Sequence, residues 1–171
     1  KFVDEGWFGE HTRYGGADKA GHAYSAYVAS ELFSAMYESW GYTRSRAALY
    51  GAASGMSMFT LIEVGDGASK HGFSVGDLVM DAAGVGLSYA RRRMPALEKL
   101  VDFRVEYFPS DAVLEDGQMD LATDYSGFKY LLALKLSGLP ACERNLLQYV
   151  EVHGGYYTRG YLNEDEERDL D

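Results

Sequence analysis

Three short stretches gather the side chains that could do chemistry in this sequence. Asp18, Lys19 and His22 lie within five positions of one another in GGADKAGHAYSAY, directly after two glycines. Glu63 and Asp66 close an apolar run, and Ser74, Asp77 and Asp81 follow at spacings of three and four. Carboxylates with one imidazole can hold a divalent ion through oxygen and nitrogen. The same groups can act as general acids and bases, with Lys19 or His22 as electrostatic partners. Carboxylates confined together repel, so a divalent ion, Lys19 or a protonated His22 must accompany them. Without such a charge, burial would raise their pKa values.

Whether these residues meet depends on the helices that carry them. At 100° per residue, the segment from Asp18 to about Ser39 places Asp18, His22, Ser25, Ala29, Phe33 and Met36 on one stripe, flanked by Val28 and Leu32. Ala20, Tyr27, Glu31, Ser34 and Glu38 fall opposite, so the acid and the imidazole are expected to face the core. Gly41 reads as a stop and Thr43 as the N-cap of a second helix, Arg44 to Glu63. Its centre, AALYGAASGMSMFTLI, is apolar or small throughout, and Gly51 and Gly55 invite a close neighbour. The stretch VGDGASKHG reads as a loop, and Ser74 with Asp77 as a capping-box-like start of a third helix that runs to about Arg93. On that helix Asp77, Asp81, Gly84 and Ser88 share one stripe of an otherwise apolar surface, and Arg91, Arg92 and Arg93 suit its C-terminal dipole.

Adjacent antiparallel helices set the end of one beside the start of the next. Glu63, Asp66, Ser74 and Asp77 are therefore neighbours by connectivity, and packing of the first helix on the third would add Asp18 and His22. The catalytic candidates are Asp18, Lys19, His22, Glu63, Asp77 and Asp81, and the metal candidates are Asp18, His22, Glu63, Asp66, Asp77 and Asp81. A purely structural network is the competing reading: Asp18 caps its helix, His22 bonds Asp77 or Asp81, and Lys19 neutralises the rest. His11, His71 and His153 have no acidic partner at metal-ligand spacing and read as surface or satisfied histidines.

After Pro95 the period changes to two. Val101, Phe103, Val105 and Tyr107 alternate with polar residues, as in a half-buried strand. A turn region, SDAVLEDGQMD, leads to residues 125–137, where strand is preferred over a short helix. Leu146 to Leu162 reads as a long strand with a bulge or bend at Gly154 and Gly155. Helices first and sheet second is the α+β order: a three-helix bundle-like part, then a small antiparallel β part. The expected organisation is one domain over residues 1–171, with an aromatic arm (1–16), the helical part carrying the polar cluster (17–95), the β-rich part (96–162) and an acidic tail (163–171).

Composition narrows the function classes. A formal net charge of -10 argues against a nucleic-acid partner, since phosphates demand Lys and Arg. The single Cys142 rules out an intramolecular disulfide and reads as an inert thiol in a loop. No phosphate-cradling glycine fingerprint and no nucleophile elbow is present, so nucleotide cofactors are not expected and a divalent metal ion is the candidate cofactor. The chain starts without Met and without a basic, apolar leader, which suggests a removed targeting segment or trimming. The most apolar run, Ala47 to Ile62, falls below the roughly 20 residues that a spanning helix needs, so a soluble or peripheral protein is expected.

DKAGH (Asp18 to His22), EVGDG (Glu63 to Gly67) and GFSVGDLVMDAAGVGLSY (Gly72 to Tyr89) together resemble the YfiM-like predicted periplasmic lipoproteins of Gram-negative bacteria. The skeleton of D-K-x-x-H, a Glu, then S-x-x-D-x-x-x-D is distantly similar to that of VanZ-like membrane proteins. The resemblance covers about Trp7 to Arg93 and implies export to the periplasm, with a lipidated Cys upstream of Lys1 tethering the protein to the outer membrane. It supplies no reaction. Two functions follow: an envelope binding or assembly module that takes an envelope protein or a lipid-like ligand against its aromatic surfaces, or a metal-dependent hydrolase acting on a phosphate or glycan-lipid bond. A third reading, assembly through a β edge, rests on the Tyr-rich final strand.

Overall fold

The computed structural model describes residues 1–9, 12–116, 124–142 and 144–159. Strand β1 (Phe2–Val3) opens the arm and a left-handed turn at Tyr14, Gly15 and Gly16 feeds α1 (Ala17–Ser39). Then come α2 (Arg44–Ala68), β2 (Phe73–Ser74), α3 (Val75–Arg93) and α4 (Pro95–Leu100). Strand β3 (Val101–Tyr107), α5 (Asp111–Asp116), β4 (Phe128–Lys135) and β5 (Glu151–Tyr157) complete the order. Helices α1, α2 and α3 pack on one another, β1 pairs in parallel with β2, and β3-β4-β5 form an antiparallel sheet. The α+β class read from the sequence is borne out.

Small residues set how closely the helices approach. Gly51 and Gly55 of α2 lie directly against Ser34 and Ser30 of α1, and Gly84 of α3 lies against the backbone of α1 at Ala23 and Tyr27. A Cβ at Gly84 would overlap the Ala23 carbonyl oxygen. The apolar centre of the bundle is Ala26, Phe59 and Val85, with Ala29, Ala52, Met56 and Met58 around it. The sheet docks on α1 through aromatic rings: Tyr24 meets Phe103 edge-on at 5.2 Å, and Tyr27 lies 5.7 Å from Phe103. Arg91 ties α3 to the sheet, donating to the Val101 carbonyl (2.8 Å) and pairing with Asp102 (3.1 Å). The basic end of α3 thus serves specific partners as well as the helix dipole, since Arg92 pairs with Glu31 and Glu38.

Several expectations are corrected. The face of α1 opposite the anticipated stripe is also covered: Ala20, Tyr27 and Ser34 are buried, while Ser25 and Leu32 are exposed, because α1 lies between α2, α3 and the sheet. Asp18 is not the cap of α1; left-handed Gly16 occupies that position. Helix α2 does not stop at Glu63 but continues through Val64–Ala68, which puts Asp66 on the helix. At that length α2 is long and apolar enough by composition to cross a membrane, against the expectation from Ala47 to Ile62 alone, because its flanking turns add length while few charges interrupt it. Part of the expected turn region is α5, and the remainder, residues 117–120, lies outside the described residues. The preference for strand within 125–137 is borne out over Phe128–Lys135, with 3-10 turns at Tyr125–Gly127 and Leu136–Gly138 on either side, but β5 pairs with β4 in unbroken register through Gly154 and Gly155, without the expected bulge. The final strand is shorter than expected, since Leu146–Tyr149 is a 3-10 turn. His11, residues 160–162 and the acidic tail lie outside the described residues.

Replacing Gly84 by Ala should cost about 2 kcal/mol in urea unfolding, because the clash is with backbone that cannot rotate away and outweighs the gain in helix propensity. Gly86→Ala on the same helix faces open space and should be neutral or stabilising by up to about 1 kcal/mol.

Candidate functional site

The ends of the three long helices do converge. Ser74 caps α3, its Oγ accepting from the Asp77 backbone N–H at 3.3 Å. The reciprocal bond of a capping box comes from a neighbouring helix: the Ser74 N–H donates to Glu63 Oε2 of α2 at 3.1 Å. That bond fastens the end of α2 to the start of α3. It also keeps a carboxylate in the interior, where Glu63 is buried.

Lys19 is the centre of one half of the cluster. It is 2% exposed, and its Nζ lies 2.6 Å from Asp77 Oδ1, 2.7 Å from Glu5 Oε2 and 3.6 Å from Asp18 Oδ2. Burial alone would lower its pKa, but Asp77 and Glu5, with the charge of Asp18, outweigh burial and raise it. Asp77 itself is raised by burial, against the pull of Lys19.

His22 anchors the other half. Its Nδ1 is 3.0 Å from Asp81 Oδ1, and Asp81 is 0% exposed. Burial would push the imidazole down, yet the bond to Asp81 and the charges of Asp18, Asp77 and Asp81 lift its pKa to about 9. Burial raises Glu63, with the Ser74 N–H opposing and Asp77 and Asp81 reinforcing. The second oxygen of Asp81, Oδ2, is buried with no hydrogen-bond partner. Two sets of ligand atoms lie within 4.8 Å of one another: those of Asp18, His22 and Asp77, and those of His22, Glu63 and Asp81. Their spacing suits one divalent ion shared by three side chains.

Two cavities meet at this cluster. A polar one of about 230 Å³ is lined by Glu5, Asp18, His22, Glu63, Asp66, His71, Gly72, Asp77 and Tyr125. A second, of about 400 Å³, is lined mainly by Tyr24, Phe59, Val105, Phe128 and Tyr130, and shares Asp18, His22 and Tyr125 with the first. The structure thus brings together Asp18, Lys19, His22, Glu63, Asp77 and Asp81. Asp66 lines the polar cavity without joining either set of potential ligands.

Sequence reasoning missed Glu5, His71, Tyr125 and Tyr130. His71 does have an acidic neighbour, since its Nδ1 lies 3.6 Å from Asp66 Oδ1, and it lines the polar cavity. The five-residue separation of Asp66 and His71 across a Gly-containing turn was an available signal. Glu5 had none: it reaches Lys19 because pairing of β1 with β2 draws the arm over the start of α3.

Residues 4–93, just over half of the chain, match the family described as Predicted periplasmic lipoprotein (DUF2279). The chain belongs to this family. Its description agrees with the periplasmic, membrane-tethered location implied by the sequence motifs. No curated protein and no solved structure matches the chain. The matched segment contains Glu5 and every charged candidate of the cluster, whereas Val105, Phe128 and Tyr130 of the aromatic cavity lie beyond it.

The cluster makes stability depend on pH in a defined direction. An imidazole raised from about 6.5 when unfolded to about 9 when folded stabilises the fold fully below pH 6.5, and that contribution disappears as pH climbs through 9. The raised carboxyl of Glu63 acts with the same sign at lower pH, because its ionisation in the folded state is opposed. Urea melts should therefore lose on the order of 3 kcal/mol between pH 6.5 and 9. In Asp81→Asn the falling limb should move toward neutral pH, and in His22→Gln it should vanish.

Proposed function

We propose that this envelope lipoprotein is a ligand-binding module built around a divalent ion held by His22, Glu63 and Asp81. The carrying observation is Asp81 Oδ2, a fully buried carboxylate oxygen without a hydrogen-bond partner in a cluster where negative charge predominates. A buried anion in that state calls for a cation. The other triangle is less suited, since Lys19 already pairs with Asp77 and lies near Asp18. Glu63 spends one oxygen on the Ser74 N–H and Asp81 one on His22, which leaves each a second oxygen to coordinate, while His22 would keep its Nδ1 on Asp81 and give up its other proton so that Nε2 could bind the ion. A mixed oxygen and imidazole set favours zinc or manganese over magnesium. A lipid-like ligand would place its polar head against the ion and its apolar part among Tyr24, Phe59, Phe128 and Tyr130. The order of the Asp18–His22, Glu63 and Ser74–Asp81 motifs supports kinship with YfiM-like proteins, and a distant one with VanZ-like proteins.

Metal-dependent hydrolysis of a phosphate or glycan-lipid bond is the second reading, favoured by one observation. The polar cavity that opens on His22 and Glu63 is also lined by Asp18, a carboxylate outside that ligand set that could act as a base beside the ion. Release of phosphate or lipid from lipid-linked substrates, dependent on added manganese or zinc and abolished in Glu63→Gln, would identify an enzyme.

After chelation and desalting, added zinc or manganese should raise the melting temperature of the wild-type protein, as binding to the folded state alone requires. At one hundred times Kd the gain is about 2.7 kcal/mol. Asp81→Asn should abolish the response, while Asp66→Asn, outside both ligand sets, should retain it. No response to any divalent ion would end this reading.

A further inference from the structure

The outward face of α2 takes no part in the site or in the bundle's core. Its inner side buries Ala47, Ala48, Gly51, Gly55, Phe59 and Glu63. At spacings of three and four on the other side stand Arg46, Leu49, Tyr50, Ala53, Ser57, Leu61 and Val64, all exposed, with Leu49 at 53% and Leu61 at 72%. That stripe is about 27 Å long at 1.5 Å per residue. We propose that it is a bilayer-contact surface, on which α2 lies in the plane of the membrane.

Charge argues for this occupant. The chain carries 26 acidic residues against 16 basic ones, yet between Thr43 and Ile62 its only charges are Arg44 and Arg46. A surface cleared of acid along its length, with an exposed Arg46 at one end, is complementary to anionic headgroups. At the same end Trp40, Tyr42 and Tyr50 are exposed and pack edge-on against Tyr37, at 5.4, 5.8 and 5.6 Å between ring centres. Such rings, apolar in body and polar at the tip, suit the depth of lipid headgroups.

Composition points the same way. Helix α2 is apolar and long enough to cross a membrane, while only 33% of its apolar window is buried within the protein. The core therefore does not account for that apolarity. Because Gly51 and Gly55 are pressed against α1, the helix presents one side only, and a helix apolar on its free side lies at the interface and does not traverse it. A family of lipoproteins supplies the rest. A tether holds the face at high effective concentration near lipid, so a weak contact suffices.

The test uses the full chain and flotation with vesicles of phosphatidylglycerol and phosphatidylethanolamine, compared with phosphatidylcholine alone. Wild-type protein should float with the anionic vesicles and bind phosphatidylcholine less. The double variant Leu49→Glu, Leu61→Glu should lose at least five-fold in bound fraction while keeping its far-UV circular dichroism. Leu61→Gln, a milder change at an exposed site, should show a smaller loss and covers the case in which the double variant misfolds. Leu132→Glu, on the sheet's own exposed apolar surface, should bind as wild type. Absence of flotation by the wild type, full binding by the folded α2 variants, or loss confined to Leu132→Glu would overturn the proposal. So would a concentration-dependent dimer in light scattering that the α2 variants dissolve, which would make a second copy the occupant.

Discussion

Buried negative charge in need of positive partners is the constraint on which the helical half depends. Asp77, Asp81 and Glu63 are nearly sealed from water, and each charged carboxylate in that setting requires a cation or a set of donors. The fold meets the requirement unequally. Lys19, with three donors, satisfies the side of the cluster that holds Glu5 and Asp77. His22 serves the other side with one bond to Asp81, and one oxygen of that carboxylate is left without a donor. Burial is the main cause that raises Glu63 and Asp77, while the bond to Asp81 and the charges around it raise His22 against its burial, so in all three the protonated form is favoured.

Close packing of the helices is what brings those charges within reach of their partners. Glycine against serine between α1 and α2, and Gly84 against the α1 backbone, bring the helix axes close enough for side chains from three helix ends to touch. The Ser74 cap and its bond to Glu63 then hold the start of α3 against the end of α2. The sheet adds the aromatic wall of the second cavity through Tyr130, whose hydroxyl burial pushes toward higher pKa and so keeps neutral. Polar and aromatic chambers share Asp18, His22 and Tyr125, which allows one ligand to engage both.

Local patterns made much of this legible. The acidic stripe of α3 stood out because polar residues at helical spacing on an apolar background must face a partner, and Asp77, Asp81, Gly84 and Ser88 are all buried. Connectivity then brought Glu63 to Ser74. The inward face of α1 was harder to read, because a helix covered on several sides has no single apolar stripe. Tyr27 and Ser34 sit on the face taken for solvent, yet one supports the sheet and the other receives Gly51. The end of α2 was misplaced for a related reason: glycines in VGDG suggest a break, but contacts with β2 and the N–H groups of Ser69 and Gly72, which donate to the Asp66 carbonyl at 2.9 and 2.8 Å, hold the last turn.

The sequence by itself determined the α+β order, the three long helices and the charged residues of the cluster, since periodicity, caps and charge are local properties of the chain. It also determined membership of the lipoprotein family, which rests on motifs in residues 4–93. Tertiary structure alone decided which charges are paired. Glu5 reaches Lys19 across fourteen positions and His22 reaches Asp81 across fifty-nine, and such pairings depend on where the chain crosses itself in space. It likewise decided that α2 shows a long face without acidic residues, from Arg46 to Val64, to the outside, because exposure belongs to the packed molecule and no spacing of residues encodes it unless the neighbours are known.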